Sequence, residues 1–219
     1  AGLYLALIPE AMDVLWLGFV PGLLIVAGIG WWDDHRPLSP WLRLAVQAVA
    51  ALSLAAAAGW QSGQWLPAVA AFGMTMVLVN VWNFMDGING LAASQAGLAG
   101  LAYAGLLVGA WHWLALALLA ACVGFLPFNF PRAWIFLGDV GSGALGYALA
   151  GLATAAFLAL PSASVPLLLL PLCAFLVDAG FTLLGRMLRG EQWWTPHVSH
   201  LYQIGARRLG HAAVTVIYM

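Results

Sequence analysis

The feature that most constrains this chain is a series of apolar runs, each near 20 residues, that recur along most of its length. A run of about 20 apolar residues matches the roughly 30 Å hydrocarbon core of a bilayer when coiled as a helix. The runs cover residues 13–32, 43–60, 65–84, 89–110, 113–130, 140–160 and 164–185. An eighth begins after a polar segment at 186–208 and stops with the chain. Only 7% of residues are charged, against about 25% in soluble domains. The expected fold is therefore all-α, a polytopic transmembrane helix bundle. A signal peptide would confine its apolar stretch to the start, which is not the pattern here. There is no lysine, and net charge is −1, so nothing suggests a nucleic-acid partner. Cys122 and Cys173 lie inside apolar runs and read as small core residues.

Residues 1–219 read as one transmembrane domain. Residues 1–8 resemble the tail of a preceding span, so the expectation is a domain lacking terminal spans at both ends. Many tryptophans, among them Trp31, Trp60, Trp65, Trp111 and Trp134, fall at the ends of runs, as an aromatic belt would. If the spans alternate in direction, every arginine falls on or beside one side: Arg36, Arg43, Arg132, Arg186, Arg189, Arg207 and Arg208. The opposite connectors, 61–64, 111–113 and 161–164, have neither Arg nor Lys. The positive-inside rule makes the arginine side cytoplasmic. The same side receives Asp33, Asp34, Asp86, Asp139, Glu191, His197 and His200. A transporter would place ionisable groups near the midplane. Collecting them at one interface suits action on something reached from that side.

The densest polar stretch runs from Asn80 to Leu91. A carboxylate at membrane depth costs about 2.5–3.5 kcal/mol on insertion scales, so Asp86 calls for a reason. Asn80, Asn83 and Asp86 are three apart, on adjoining parts of one helical face, and Gly87 and Gly90 permit close backbone approach or a change of direction. Such a set suits a polar head group or a nucleobase; the plainer alternative is asparagine bonding between helices. Asp33 and Asp34 close the first run. Neighbours on a helix point about 100° apart, so the two cannot meet one ligand in the same way. One can face a phosphate and the other brace a metal, or they can pair with Arg36 or Arg43. Gly138 and Gly141 bracket Asp139 at the start of the sixth run. A helix start tolerates a phosphate, and a carboxylate there can hold Mg²⁺ against it or serve as a cap. Asp178, with Thr182 and Arg186 at four-residue steps, reads as a structural partner for an arginine. His197 and His200, between Arg189 and Arg207, read as a phosphate clamp. Tyr202, Gln203 and His112 read as interface contacts.

Taken together, Asp33-Asp34…Leu38-Ser39, then Asn80…Asn83…Asp86-Gly87…Gly90-Leu91, then Phe128-Asn129…Pro131…Phe136-Leu137-Gly138-Asp139…Gly141-Ser142, then His197…His200 resemble the motifs of the polyprenyl-phosphate N-acetylhexosamine-1-phosphate transferases, in the same order. The resemblance implies transfer of a sugar-1-phosphate from a UDP-amino sugar to undecaprenyl phosphate, with UMP released and Mg²⁺ as cofactor, in the bacterial inner membrane. It implies Asp139 as the metal ligand and Asp33, Asp34 and Asp86 as catalytic. Asn80, Asn83, Asn89, Asn129, Phe136, His197 and His200 would contact substrate, with Phe136 near uracil. Asn89 stands where many members carry an aspartate, and the histidine loop lacks the common three-histidine cluster. That loop resembles the O-antigen initiators more than the peptidoglycan enzyme. The implied partners are the donor, the acceptor and the bilayer, with a homodimer as a further expectation. The alternatives are a non-catalytic binder of polyprenyl phosphate and a cation-coupled transporter.

Overall fold

The computed structural model describes residues 13–160, 165–192 and 200–219. His197 lies outside them. The described residues form helices joined by short connectors, with no strand among them: α1 (Leu15–His35), α2 (Pro40–Ser62), α3 (Trp65–Met85), α4 (Leu91–Leu106), α5 (Gly109–Asn129), α6 (Gly138–Ala159), α7 (Val165–Leu169), a 3₁₀ turn at Leu170–Leu172, α8 (Cys173–Leu188), α9 (Leu201–Leu209) and α10 (His211–Tyr218). Six segments are long and apolar enough to cross a membrane: α1, α2, α3, α5, α6 and the continuous stretch Pro166–Leu188. The chain is thus a multi-pass membrane protein.

The fourth apolar run is the one that differs. It yields a helix of 16 residues, about 24 Å at 1.5 Å per residue, short of a full crossing. Hydrophobicity continues past its end, but Leu107 is extended and Gly109 takes φ +62°, which turns the chain into α5. The seventh run is broken by the 3₁₀ turn that carries Pro171.

The core is organised around α6. In its most apolar 18-residue window 72% of residues are buried, against 22–39% in the other spans, so α6 is enclosed by protein while the others face outward. It packs mainly on α1 and α3, and also touches α2, α4 and α5. Lipid tails are as apolar as leucine, so close van der Waals fit, and not expulsion of water, holds such helices together. Small residues supply that fit. Gly18, Gly22, Val26 and Gly30 recur every four residues on one buried stripe of α1. A Cβ built on Gly30 would lie 2.5 Å from the backbone oxygen of Asp139. Beside Gly22, the phenol of Tyr147 donates within reach of two carbonyls, Gly18 at 3.3 Å and Ala50 at 3.2 Å, and so ties α6 to α1 and α2.

One end of the bundle holds the polar loops. There α1 and α3 finish, α2 and α6 begin, and the 86–90 and 130–137 connectors meet through Asn89, whose amide donates to the Pro131 carbonyl (3.0 Å). The other end is closed by Asp13, which accepts from the indole of Trp111. Trp111 is 7% exposed and stacks on Trp16 with ring centroids 4.5 Å apart, so it belongs to the packing and not to a lipid-facing belt. Trp31, Trp60, Trp65 and Trp134 are exposed as expected.

Candidate active site

At the polar end, Arg43 sits between two carboxylates from different helices. Its Nη1 lies 2.7 Å from Asp33 on α1 and 3.0 Å from Asp139 on α6, and its Nη2 donates to the Oδ1 of Asn83 on α3 (3.1 Å). Asn83 turns its other amide atom to Asp139 (2.7 Å) and to the Ser142 hydroxyl (3.2 Å). Four helices therefore contribute to one alternating network of acid, guanidinium and amide. A cleft opens beside it, lined by Val26, Gly30, Asp33, Arg43, Asn83 and Asp139.

The adjacent acids part company, as their angular separation requires. Asp33 accepts from Arg43 and from the Leu38 amide (2.6 Å) and lines the cleft. Asp34 instead accepts from the amides of Asp139 (2.8 Å) and Val140 (3.1 Å). These are among the first N–H groups of α6, which no helical carbonyl can reach, so α1 caps α6 with a charged side chain. Two of the N–H groups at this helix start are thus taken by a carboxylate of the protein itself. Gly138 makes the approach feasible: it has φ +63°, and a Cβ there would lie 2.6 Å from Asp34 Oδ2.

Asp86 terminates α3 and is half-buried. No hydrogen bond reaches its carboxylate from the described residues. Burial, followed by the nearby charges of Asp139 and Asp34, pushes it up to about 7 from its usual 3.8.

The other expected residues are placed as follows. Asn80 donates to Gln47 on α2 (2.9 Å), one turn deeper than Asn83, and extends the polar line into the bundle. Asn129 is buried: its Oδ1 accepts from the Gly90 amide (2.7 Å) and its Nδ2 donates to the Ile135 carbonyl (2.7 Å), bracing two connectors against each other. Asn89 sits at the same junction. Phe136 is 76% exposed, a free ring at the rim. His200 is not an open clamp residue. It is buried, with its ring 6.2 Å from Phe84 and 5.8 Å from Tyr202 and its Nδ1 3.6 Å from Asp178. Arg189 pairs with Glu191 at 2.6 Å.

Two readings need correction. Asp178 does not pair with an arginine; it accepts from the amides of Leu201 (2.9 Å) and Tyr202 (3.0 Å) and from the Tyr218 hydroxyl (2.7 Å). Tyr202 is no interface contact, being 1% exposed. Gln47 escaped notice in the sequence, and Ser142 stood there only as the last residue of the third motif, with no role given to it. Ser142 follows Asp139 by three and Gln47 follows Arg43 by four, spacings that share a helical face and were the available signal.

A helical bundle of this kind, with acids, amides and an arginine converging at one end, is an integral membrane protein built around a charge-dense polar site. Residues 16–157 match the model of glycosyl transferase family 4, and the chain belongs to that family, that of the polyprenyl-phosphate N-acetylhexosamine-1-phosphate transferases. It is 35% identical over 180 residues to the phospho-N-acetylmuramoyl-pentapeptide-transferase of a Synechococcus species, covering 69% of this chain and 52% of the relative. It is 32% identical over 158 residues to the decaprenyl-phosphate N-acetylglucosaminephosphotransferase of Mycobacterium tuberculosis (60% and 39%). A Bacillus subtilis relative, "Probable undecaprenyl-phosphate N-acetylglucosaminyl 1-phosphate transferase", is 35% identical over 151 residues (65% and 42%). The chain spans about half or less of the length of these relatives.

Proposed function

We propose that this chain carries the catalytic face of an enzyme that transfers a sugar-1-phosphate, from a UDP-linked N-acetylated amino sugar, to undecaprenyl phosphate. An oxygen of the lipid phosphate becomes bonded to the sugar-bearing phosphorus, the bond from that phosphorus to the bridging oxygen breaks, and UMP leaves. The product starts a lipid-linked glycan, of the O-antigen type on the resemblance of the histidine loop. The observation that carries the reading is the Asp33–Arg43–Asp139–Asn83 network at the end of a membrane bundle, where a lipid phosphate and a water-soluble nucleotide can meet. The arginine distribution supports an orientation with this end toward the cytoplasm of a bacterial inner membrane.

The donor chemistry fits a hard divalent cation. The available oxygens are carboxylates, and Asp86, half-buried with no hydrogen bond from the described residues and near the charges of two other acids, would be relieved by one. Among the described residues no group of three or more acidic, histidine or cysteine side chains is already gathered into a metal site. Asp139 would hold Mg²⁺, with Asp86 beside it. When bound, Mg²⁺ supplies charge neutralisation at the phosphoryl oxygens. The remaining work falls to the chain. Arg43 offers a forked cation suited to phosphate. Asn83 fixes the Asp139 carboxylate, and Asp34 fixes the backbone that carries it. Asp33, which lines the cleft, would meet the lipid phosphate or, on a covalent route, the phosphorus. The exposed ring of Phe136 offers a face to uracil.

The test is a radiolabel transfer assay in membranes with undecaprenyl phosphate, Mg²⁺ and a panel of UDP-amino sugars. UMP release is expected with at least one donor, abolished by EDTA and by Asp139→Asn. Full activity in Asp139→Asn removes the metal assignment. No turnover with any donor favours the non-catalytic lipid-phosphate binder.

A further inference from the structure

The C-terminal helices lie beyond residue 157, where the match to the family model ends, yet they touch the Asp86 turn at both of its ends. Tyr202, near the start of α9, donates its hydroxyl to the Phe84 carbonyl, 2.8 Å away. That carbonyl belongs to the last turn of α3, where helical amides run out and an outside donor is needed. Thr215 of α10, fully buried, donates its hydroxyl to the Asn89 carbonyl, also at 2.8 Å. Asp86 lies between these two points. Gly87, next to it, has no side chain to spare room for, because a Cβ there would collide with the Tyr202 hydroxyl.

Both hydroxyls trace back to one buried carboxylate. Asp178 is 5% exposed, and it gathers the first amides of α9 together with the Tyr218 hydroxyl at the end of α10. A buried carboxylate in a span is costly unless fully hydrogen-bonded, and a satisfied buried network rigidifies what it joins.

We propose that Tyr202 and Thr215 are positioning residues for Asp86: the α9–α10 pair, anchored on Asp178, grips the 84–89 turn at both ends and fixes the backbone that carries that carboxylate. The catalytic consequence rests on the transferase reading above; the grip itself does not. Two measurements on the full chain in detergent separate them. The first is hydrogen–deuterium exchange at residues 84–91 in the native protein, in Tyr202→Phe and in Thr215→Val, each of which removes a hydroxyl and keeps the packing. Exchange in this turn is expected to rise in both variants, while α1 and α6 stay protected. The second is transfer kinetics per folded molecule: kcat is expected to fall about tenfold in Tyr202→Phe, a size set by loss of one well-made hydrogen bond, with KM for the donor within about twofold. Unchanged exchange overturns the grip. Raised exchange with unchanged kcat overturns the positioning role. A native protein inert with every donor brings down the transferase reading and leaves exchange to decide the grip.

Discussion

Gly30→Ala is the sharpest test of how helix packing sets the site. The new Cβ would lie 2.5 Å from the Asp139 oxygen and 2.6 Å from both the Asp139 carbonyl carbon and the Val140 nitrogen. All three are backbone, so no side chain can swing away. Ordinary contact begins near 3.4 Å, so α1 and α6 must separate locally by about 0.9 Å, the difference between that value and the clash distance. Overpacking of this kind costs about 1–3 kcal/mol of stability. The functional cost is larger, because the shift falls between Asp33 and Asp139, and a misplacement of about 1 Å can reduce turnover on the order of 10²-fold. Gly28→Ala is the matched control: it makes the same chemical change on the same helix, with nothing within 4 Å of its Cβ. Thermal unfolding in detergent and transfer assays on both variants, at saturating donor, decide the matter. Equal kcat in the two variants would refute the idea that close approach of α1 and α6 sets the site.

Other outcomes follow from single contacts. Without Mg²⁺ the Asp86 carboxyl in the folded protein sits near 7, above its usual 3.8, so between these values the folded chain holds a proton that the unfolded chain has released; stability, measured in EDTA, falls as pH rises through that window. Asp86→Asn should therefore melt higher than the native protein at about pH 8 and no higher at about pH 3, and an equal gain at both ends of a melting series would exclude the assignment. Tyr147→Phe removes donation to the Gly18 and Ala50 carbonyls; a loss of about 0.5–1.5 kcal/mol with unchanged turnover is expected, read by chemical denaturation and the transfer assay. Arg43→Lys replaces a fork that meets Asp33, Asp139 and Asn83 at once with a single ammonium. Turnover should fall about tenfold or more, and full activity would show that the fork is dispensable.

The spans were legible because bilayer thickness dictates how long an apolar helix must be. Their interruptions were not: Leu107 and the Gly109 turn lie within unbroken hydrophobic sequence, and only backbone geometry marks the end of α4. The acids stood out because charge is expensive in such a chain. Their partners were harder to see: Gln47 looks like an ordinary polar residue on a helix, and nothing in its motif shows that Ser142 meets Asn83. Tyr202 was misread for a related reason. Tyrosine near a span end usually marks the membrane surface, and nothing local shows that a distant carboxylate, Asp178, draws it inward. The parting of Asp33 from Asp34 was foreseeable from helical geometry, while the identity of their targets came only from the folded arrangement.

Asp33 and Asp34 take hold of the same residue from two directions, one through a guanidinium to its side chain and one at its main chain. This fixes both the rotation and the height of α1 relative to α6, with Gly30 as the contact point one turn below. A single residue inserted between Gly30 and Asp33 would swing both acids about 100° and lift them about 1.5 Å, out of reach of everything they now touch. The five residues from Gly30 to Asp34 act as a fixed ruler, and the Leu38 amide, bonded back to Asp33, ties the following loop to the same measure.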